Sequence, residues 1–173
     1  MKAAILSFLM VLAVSALSIA QQDKSQRASP PDSTIVTTDD GVTIAIHYSK
    51  PSLKGRQIGV EIAPFGKVWR TGANEATTFE VDKDVLIQGQ PLPAGKYGLY
   101  SIPGENTMTI IFNNVWDQWG TRYDESQDAL RVTATPSGGG ELVEQFTIKA
   151  DKAGTVTLRW GDAMVPFIVK AAQ

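Results

Sequence analysis

The sequence predicts an all-β chain folded as a single antiparallel β-sandwich, immunoglobulin-like or jelly-roll-like, and three observations carry that expectation. Where the hydrophobic pattern is regular its period is two: Val42, Ile44, Ile46 and Tyr48 alternate with Thr43, Ala45, His47 and Ser49, as a strand with one buried face requires. Short runs of this kind are separated by Gly, Pro, Asn and Asp clusters at fairly even spacing, the rhythm of sandwiches and barrels. No window sustains a helical period with caps, apart from one turn near Asp124–Ala129.

Before the first strand the chain is of another character. Lys2 precedes an apolar run from Ala3 to Ala20 that ends in Ser18-Ile19-Ala20, the positive start, apolar middle and small-residue exit of a secretory signal peptide over residues 1–20. The run is rich in alanine and serine, and a membrane anchor needs about 20 strongly apolar residues. Residues 21–33, QQDKSQRASPPDS, hold too little apolar surface to order themselves and read as a flexible polar lead-in. The sandwich is expected over residues 34–171.

Within it, Thr77–Val81 and Val85–Ile87 are short strands on either side of the turn Asp82-Lys83-Asp84. The turn residues Gly89–Gly95 follow, then Lys96–Ile102 and Thr107–Asn113 as a hairpin around Pro103–Asn106. Leu130–Thr135 and Glu141–Lys149 flank Pro136–Gly140, and Thr155–Trp160 and Met164–Lys170 flank Gly161-Asp162. Two further hairpins are expected there.

Composition narrows the function classes. The chain of 173 residues has no cysteine, so no disulfide and no lipidated cysteine is available. Its formal charge of −2 becomes −3 once Lys2 leaves with a signal peptide, which offers no basic field to nucleic acid. A domain near 150 residues buries about 68–70% of its unfolded surface, enough for a core without staples. With one histidine and no cysteine, metal sites built from several such ligands are excluded, and the acids Asp124, Glu125 and Asp128 lack the spacing of a calcium loop. No metal or cofactor is expected, and no membrane span in the mature protein. His47, the lone imidazole, reads as an ordinary strand residue, since no nucleophile elbow accompanies it.

Four motifs in order, YSKPSLKGR (Tyr48–Arg56), GKVWRTGANEATTF (Gly66–Phe79), LPAGKYGLYSIPG (Leu92–Gly104) and IIFN (Ile110–Asn113), followed by Trp119-Gly120 and Tyr123-Asp124, carry a resemblance. Over Thr34–Lys170 the chain resembles a family of exported bacterial proteins catalogued as a domain of unknown function, number two-nine-one-one. The resemblance implies an exported, mostly β domain and no particular activity or catalytic residue.

Two stretches remain as candidate sites. In WRTGANEATT, Gly72 and Asn74 allow a compact loop, read first as a fold-fixing turn with Trp69 in the core and Arg70 held by Glu75. The functional alternative leaves Arg70 and Asn74 free as donors to an anionic or hydroxyl-rich ligand, with Glu75 as an acceptor. In NNVWDQWGTRYDESQD, Trp116, Trp119 and Tyr123 stand among Asp117, Gln118, Arg122 and Asp124. Aromatic faces beside hydrogen-bonding groups suit a sugar ring, while the competing use of the tryptophans is to close an end of the sandwich. The ligand-binding candidates are therefore Arg70, Asn74, Glu75, Trp116, Trp119, Tyr123 and Asp124. Together these features predict a periplasmic or secreted binding or scaffold module that recognises carbohydrate or another envelope component. The alternative is a metal-independent glycoside-type hydrolase pairing Glu75 with Asp117 or Asp124.

Overall fold

Alternation becomes architecture through two facing sheets. The computed structural model describes residues 23–138 and 140–173, and the signal peptide expected at 1–20 lies outside them. The strands are β1 (Pro31–Thr37), β2 (Thr43–Ser49), β3 (Thr77–Val81), β4 (Val85–Ile87), β5 (Gln90–Leu92), β6 (Gly95–Pro103), β7 (Met108–Asn113), β8 (Asp128–Ala134), β9 (Val143–Ala150), β10 (Thr155–Gly161) and β11 (Ala163–Ala171). One sheet runs β1-β2-β3-β6-β7-β8 and the other β5-β4-β11-β10-β9. Every neighbouring pair is antiparallel. The sandwich is the fold the alternation predicted.

Between the sheets, Ile44, Ile46, Phe79, Leu99 and Phe112 of the first meet Phe146, Ile148, Leu158, Phe167 and Val169 of the second, all buried. Phe79 and Phe112 meet edge to face at 4.9 Å, with Phe167 closing the group. At one end Trp69 stacks on Trp160 with ring centres 5.3 Å apart, and Phe146 meets both rings at an angle. Trp69 is thus a core residue, as expected.

Two of the expected hairpins form: β6 with β7 and β10 with β11, the latter closing at Trp160 opposite Ala163. The third does not. β8 and β9 lie in different sheets, because the loop after β8 pairs Ser137 with Met164 of β11 through two backbone bonds of 2.7 and 2.8 Å and so cannot fold back on β8. The turn Asp82-Lys83-Asp84 likewise carries the chain from the first sheet to the second. Asp82 accepts the Thr43 amide and Asp84 the Ala94 amide, fixing the two ends of the crossing. Gln90–Leu92, read as turn, is a short edge strand paired with β4. At the other end of the chain β1 opens at Pro31, inside the segment read as lead-in, and Lys24–Gln26 forms a single 3-10 turn before it.

β6 decides where the candidate residues go. Its central residues Tyr97–Ser101 are buried in succession, although strict alternation would leave every second one on the outer face. Tyr100 is fully buried there, packed with Ile111 and Ala76 and against Tyr123. The outer face of the first sheet is therefore covered over β6 and β7, and Ala76 and Tyr123 of the two stretches singled out in the sequence belong to that cover.

Candidate functional site

The first of these stretches is fastened at both ends. Trp69 and Ser101 exchange backbone bonds of 2.7 and 2.9 Å, which extends the β6 edge by one bridge. Then the chain turns abruptly, with Thr71 at φ 48°, Gly72 at φ 153° and Asn74 at φ 61°. A β-branched residue at positive φ is a genuine outlier, and it persists only where its surroundings over-determine it. They do so here: the buried Thr71 hydroxyl donates to Ser101 Oγ at 2.9 Å, and the Thr71 carbonyl accepts from Thr77 Oγ1 at 2.7 Å. Gly72 is required by space as well as by angle, since a Cβ would stand 2.8 Å from Thr77 Oγ1 and 3.1 Å from the Ser49 carbonyl oxygen.

The second stretch closes over the first. Ala76 donates its amide to Gln118 at 3.0 Å, Gly120 donates to Asn74 at 3.0 Å, and Glu75 and Trp119 form a bridge. Gly120 admits the approach of the loops: a Cβ there would lie 2.6 Å from Arg70 Cδ and 3.0 Å from the Asn74 carbonyl oxygen. Residues 70–76 and 115–123 thus form one wall. On one side lies a cleft of about 610 Å³ lined by Arg56, Glu61, Trp69, Arg70, Thr121 and Tyr123 among others. A second cleft, of about 240 Å³, holds Glu75 with Lys24, Arg27, His47 and Lys96.

This geometry sorts the seven candidates. Arg70 and Tyr123 line the larger cleft. Asn74 supports its wall, donating Nδ2 to the Ser29 carbonyl at 3.0 Å. Glu75 belongs to the second cleft, and the expected Arg70–Glu75 pair does not form. Glu75 instead takes Arg27 Nη1 on both oxygens, at 3.0 and 2.8 Å, and Lys24 Nζ at 3.0 Å. The lead-in reaches Glu75 because Pro30 is held by the Lys50 amide and Ser29 by Asn74, which carries residues 24–29 past the wall. Burial alone would raise the Glu75 carboxyl, but its own backbone amide, Arg27 and Lys24 outweigh that and bring it down to about 2. It stays ionised at any ordinary pH. Among the described residues it is the only acid lining its cleft, so a paired-carboxylate mechanism finds no second member there.

Trp116 and Trp119 are 38% and 45% exposed and do not close the sandwich. The Lys96 ammonium stands 4.5 Å above the Trp116 ring. Asp124 is a structural cap rather than a free ligand group: its carboxylate accepts from the amide and hydroxyl of Ser126 at the start of the turn Glu125–Gln127, and those bonds lower its pKa. Tyr123 is held by Asp128, at 2.6 Å from its hydroxyl, and by Arg131 Nη2 at 2.9 Å, while its ring meets Tyr100 at 4.9 Å. Burial, then the bond to Asp128, raises its phenol to about 12. Asp128 also takes Arg131 and Asn113, and Arg131 takes Glu125, so these acids are engaged within the fold. Among the described residues no group of three His, Asp or Glu side chains could hold a metal ion, and no helix is long and apolar enough to cross a membrane.

The same region carries the match to known sequences. A family model described as a protein of unknown function, DUF2911, matches residues 29–169. The chain belongs to that family. The matched span begins at Ser29, where the lead-in meets Asn74, and takes in both loops of the wall. No curated protein and no solved structure matches the chain.

Arg56 and Glu61, which share the larger cleft, escaped the sequence reading. They stand in residues 50–68, a stretch without period, and only its turns at Gly55, Gly59 and Gly66 hinted at a fixed shape. Trp69 serves twice, with one part in the core stack and another on the cleft wall. The cleft therefore combines aromatic surface from Trp69 and Tyr123 with the guanidinium groups of Arg56 and Arg70.

Proposed function

We propose that this DUF2911 protein is an exported binding module of the bacterial envelope, periplasmic or secreted, whose larger cleft takes a carbohydrate or another cell-wall component. The observation that supports this most is the cleft itself. Its volume of about 610 Å³ falls within the roughly 300–1,000 Å³ of small-molecule sites, and two aromatic rings and two guanidinium groups line it. Its wall contains Thr71 and Asn74 at positive φ, the kind of held strain that gathers at ligand clamps. Export rests on Lys2 and the apolar run Ala3–Ala20.

Binding is favoured over hydrolysis because, among the described residues, each cleft is lined by a single acid, Glu61 in the larger and Glu75 in the second. The test is a screen of the purified protein against glycans and cell-wall fragments, repeated with Thr121→Trp. Thr121 is exposed at the cleft, so a bulky ring there fills the opening with little effect on folding. Trp116→Ala and Trp119→Ala report on the opposite side of the wall. The expected result is a hit abolished by Thr121→Trp; retention of every hit in that variant would place the ligand elsewhere and refute the proposal.

A further inference from the structure

The larger cleft contains three charged side chains, Arg56, Glu61 and Arg70, and they are not equally free. Glu61 accepts the Gln57 amide at 2.9 Å. Arg56 donates Nε to the Leu53 carbonyl at 3.0 Å and Nη2 to the Ser52 carbonyl at 2.7 Å. Arg70, half-buried against Gly120, has no hydrogen bond or ion pair among the described residues. Arg27, Arg131 and Arg159 each have an acceptor, and Arg122, without one, is solvent-exposed. Arg70 is thus the partly enclosed guanidinium whose donors have no protein acceptor and face the cleft's solvent, whereas the one guanidinium nitrogen buried without a partner among the described residues, Arg159 Nε, lies outside this cleft.

In a chain of net charge −2 this cleft has a local excess of one positive charge, and its one acid already serves a backbone turn. Hydrogen bonds between charged partners are roughly twice as strong as neutral ones, and the planar guanidinium fork matches a carboxylate or phosphate on two oxygens. A neutral sugar hydroxyl would use the donors without answering the charge. The Tyr123 ring, which lines the same cleft, cannot swing away, being held through its hydroxyl by Asp128 and Arg131, and offers a fixed surface to the apolar side of a ring.

Resting on the binding reading above, we infer that the ligand of the larger cleft is an acidic saccharide, with a carboxylate or phosphate on Arg70 and its ring against Tyr123. The cleft is a site for an anionic sugar rather than for a neutral one.

Calorimetric titration with matched probes tests this. N-acetylglucosaminyl-N-acetylmuramic acid and chitobiose share size and ring type and differ chiefly by a lactyl carboxylate; N-acetylglucosamine 1-phosphate and N-acetylglucosamine differ by a phosphate. At least one acidic probe is expected to bind on the order of tenfold tighter than its neutral match, and the pair showing the preference identifies the anion. Arg70→Ala should erase the preference and Arg70→Lys should retain part of it, each with an unchanged thermal transition, while Arg122→Ala should preserve it in full. If acidic and neutral probes bind alike, or if Arg70→Ala keeps the preference, the inference is overturned and the binding reading stands. If no saccharide probe binds, the inference is overturned, and the binding reading is decided by the screen of cell-wall fragments.

Discussion

The contact between the lead-in and the wall can be measured directly. Arg27→Ala removes a guanidinium that touches both oxygens of Glu75, leaving Lys24 at 3.0 Å as the remaining cation. A displacement of the Glu75 carboxyl from 4.5 to about 2 corresponds nominally to about 3 kcal/mol at about 1.4 kcal/mol per unit. The Glu75 side chain is 42% exposed, so solvent screening reduces the whole effect to about 1 kcal/mol, shared among its own backbone amide, Arg27 and Lys24. A double-mutant cycle on Arg27→Ala and Glu75→Ala, read by urea denaturation, should give a coupling of about 0.5–1 kcal/mol at neutral pH. The same cycle on Arg70→Ala and Glu75→Ala should give nearly none. Because the folded pKa is depressed, the stabilisation is fully present above about pH 4.5 and is lost as the pH falls toward 2. A coupling confined to the Arg70 cycle, or a coupling that grows as the pH falls through that window, would refute the assignment.

Other consequences follow from the same contacts. Gly72→Ala forces a side chain into a position 2.8 Å from Thr77 Oγ1 at φ 153°, and should cost about 1–3 kcal/mol in chemical denaturation. Trp69→Ala empties the stack on Trp160 and should cost about 3–5 kcal/mol, whereas Trp119→Ala, at a ring 45% exposed, should change stability by about 0.5 kcal/mol or less; equal losses would contradict the placement of the two rings. Tyr123→Phe leaves Asp128 and Arg131 without the hydroxyl between them and should cost about 1–2 kcal/mol in a thermal melt. Ultraviolet titration of the unmodified protein should show two phenols that ionise near 12, Tyr48 and Tyr123, and only one of them in that variant.

Local signals were enough for much of the fold. The alternation in Val42–Tyr48 placed β2, with Ile44 and Ile46 inward and His47 outward, because a strand's period of two is a property of the backbone itself. The Pro103–Asn106 turn specified the β6–β7 hairpin for a similar reason: its residues act within a few bonds. The helical turn near Asp124 could also be read, since a cap and the amide it satisfies are two residues apart. The compact loop around Gly72 and the core position of Trp69 were legible in the same local way.

Tertiary packing decided the rest. Whether a turn folds back or crosses to the other sheet depends on which strand awaits the next segment, and Ser137 finding Met164 cannot be inferred from either residue's neighbours in sequence. The partner of Glu75 is another such choice. Arg70, five positions away, was the nearest cation in sequence, yet Arg27, 48 positions away, holds both carboxylate oxygens. Charges act through space, and the wall formed by Gly120 against Arg70 and Asn74 sends the two side chains into different clefts. The sequence by itself determined the residues from which a site could be made, because residue chemistry and backbone period are local. Only the tertiary structure decided that Arg70 shares a cleft with Arg56, Glu61 and Tyr123, because a concave surface exists only where distant segments meet.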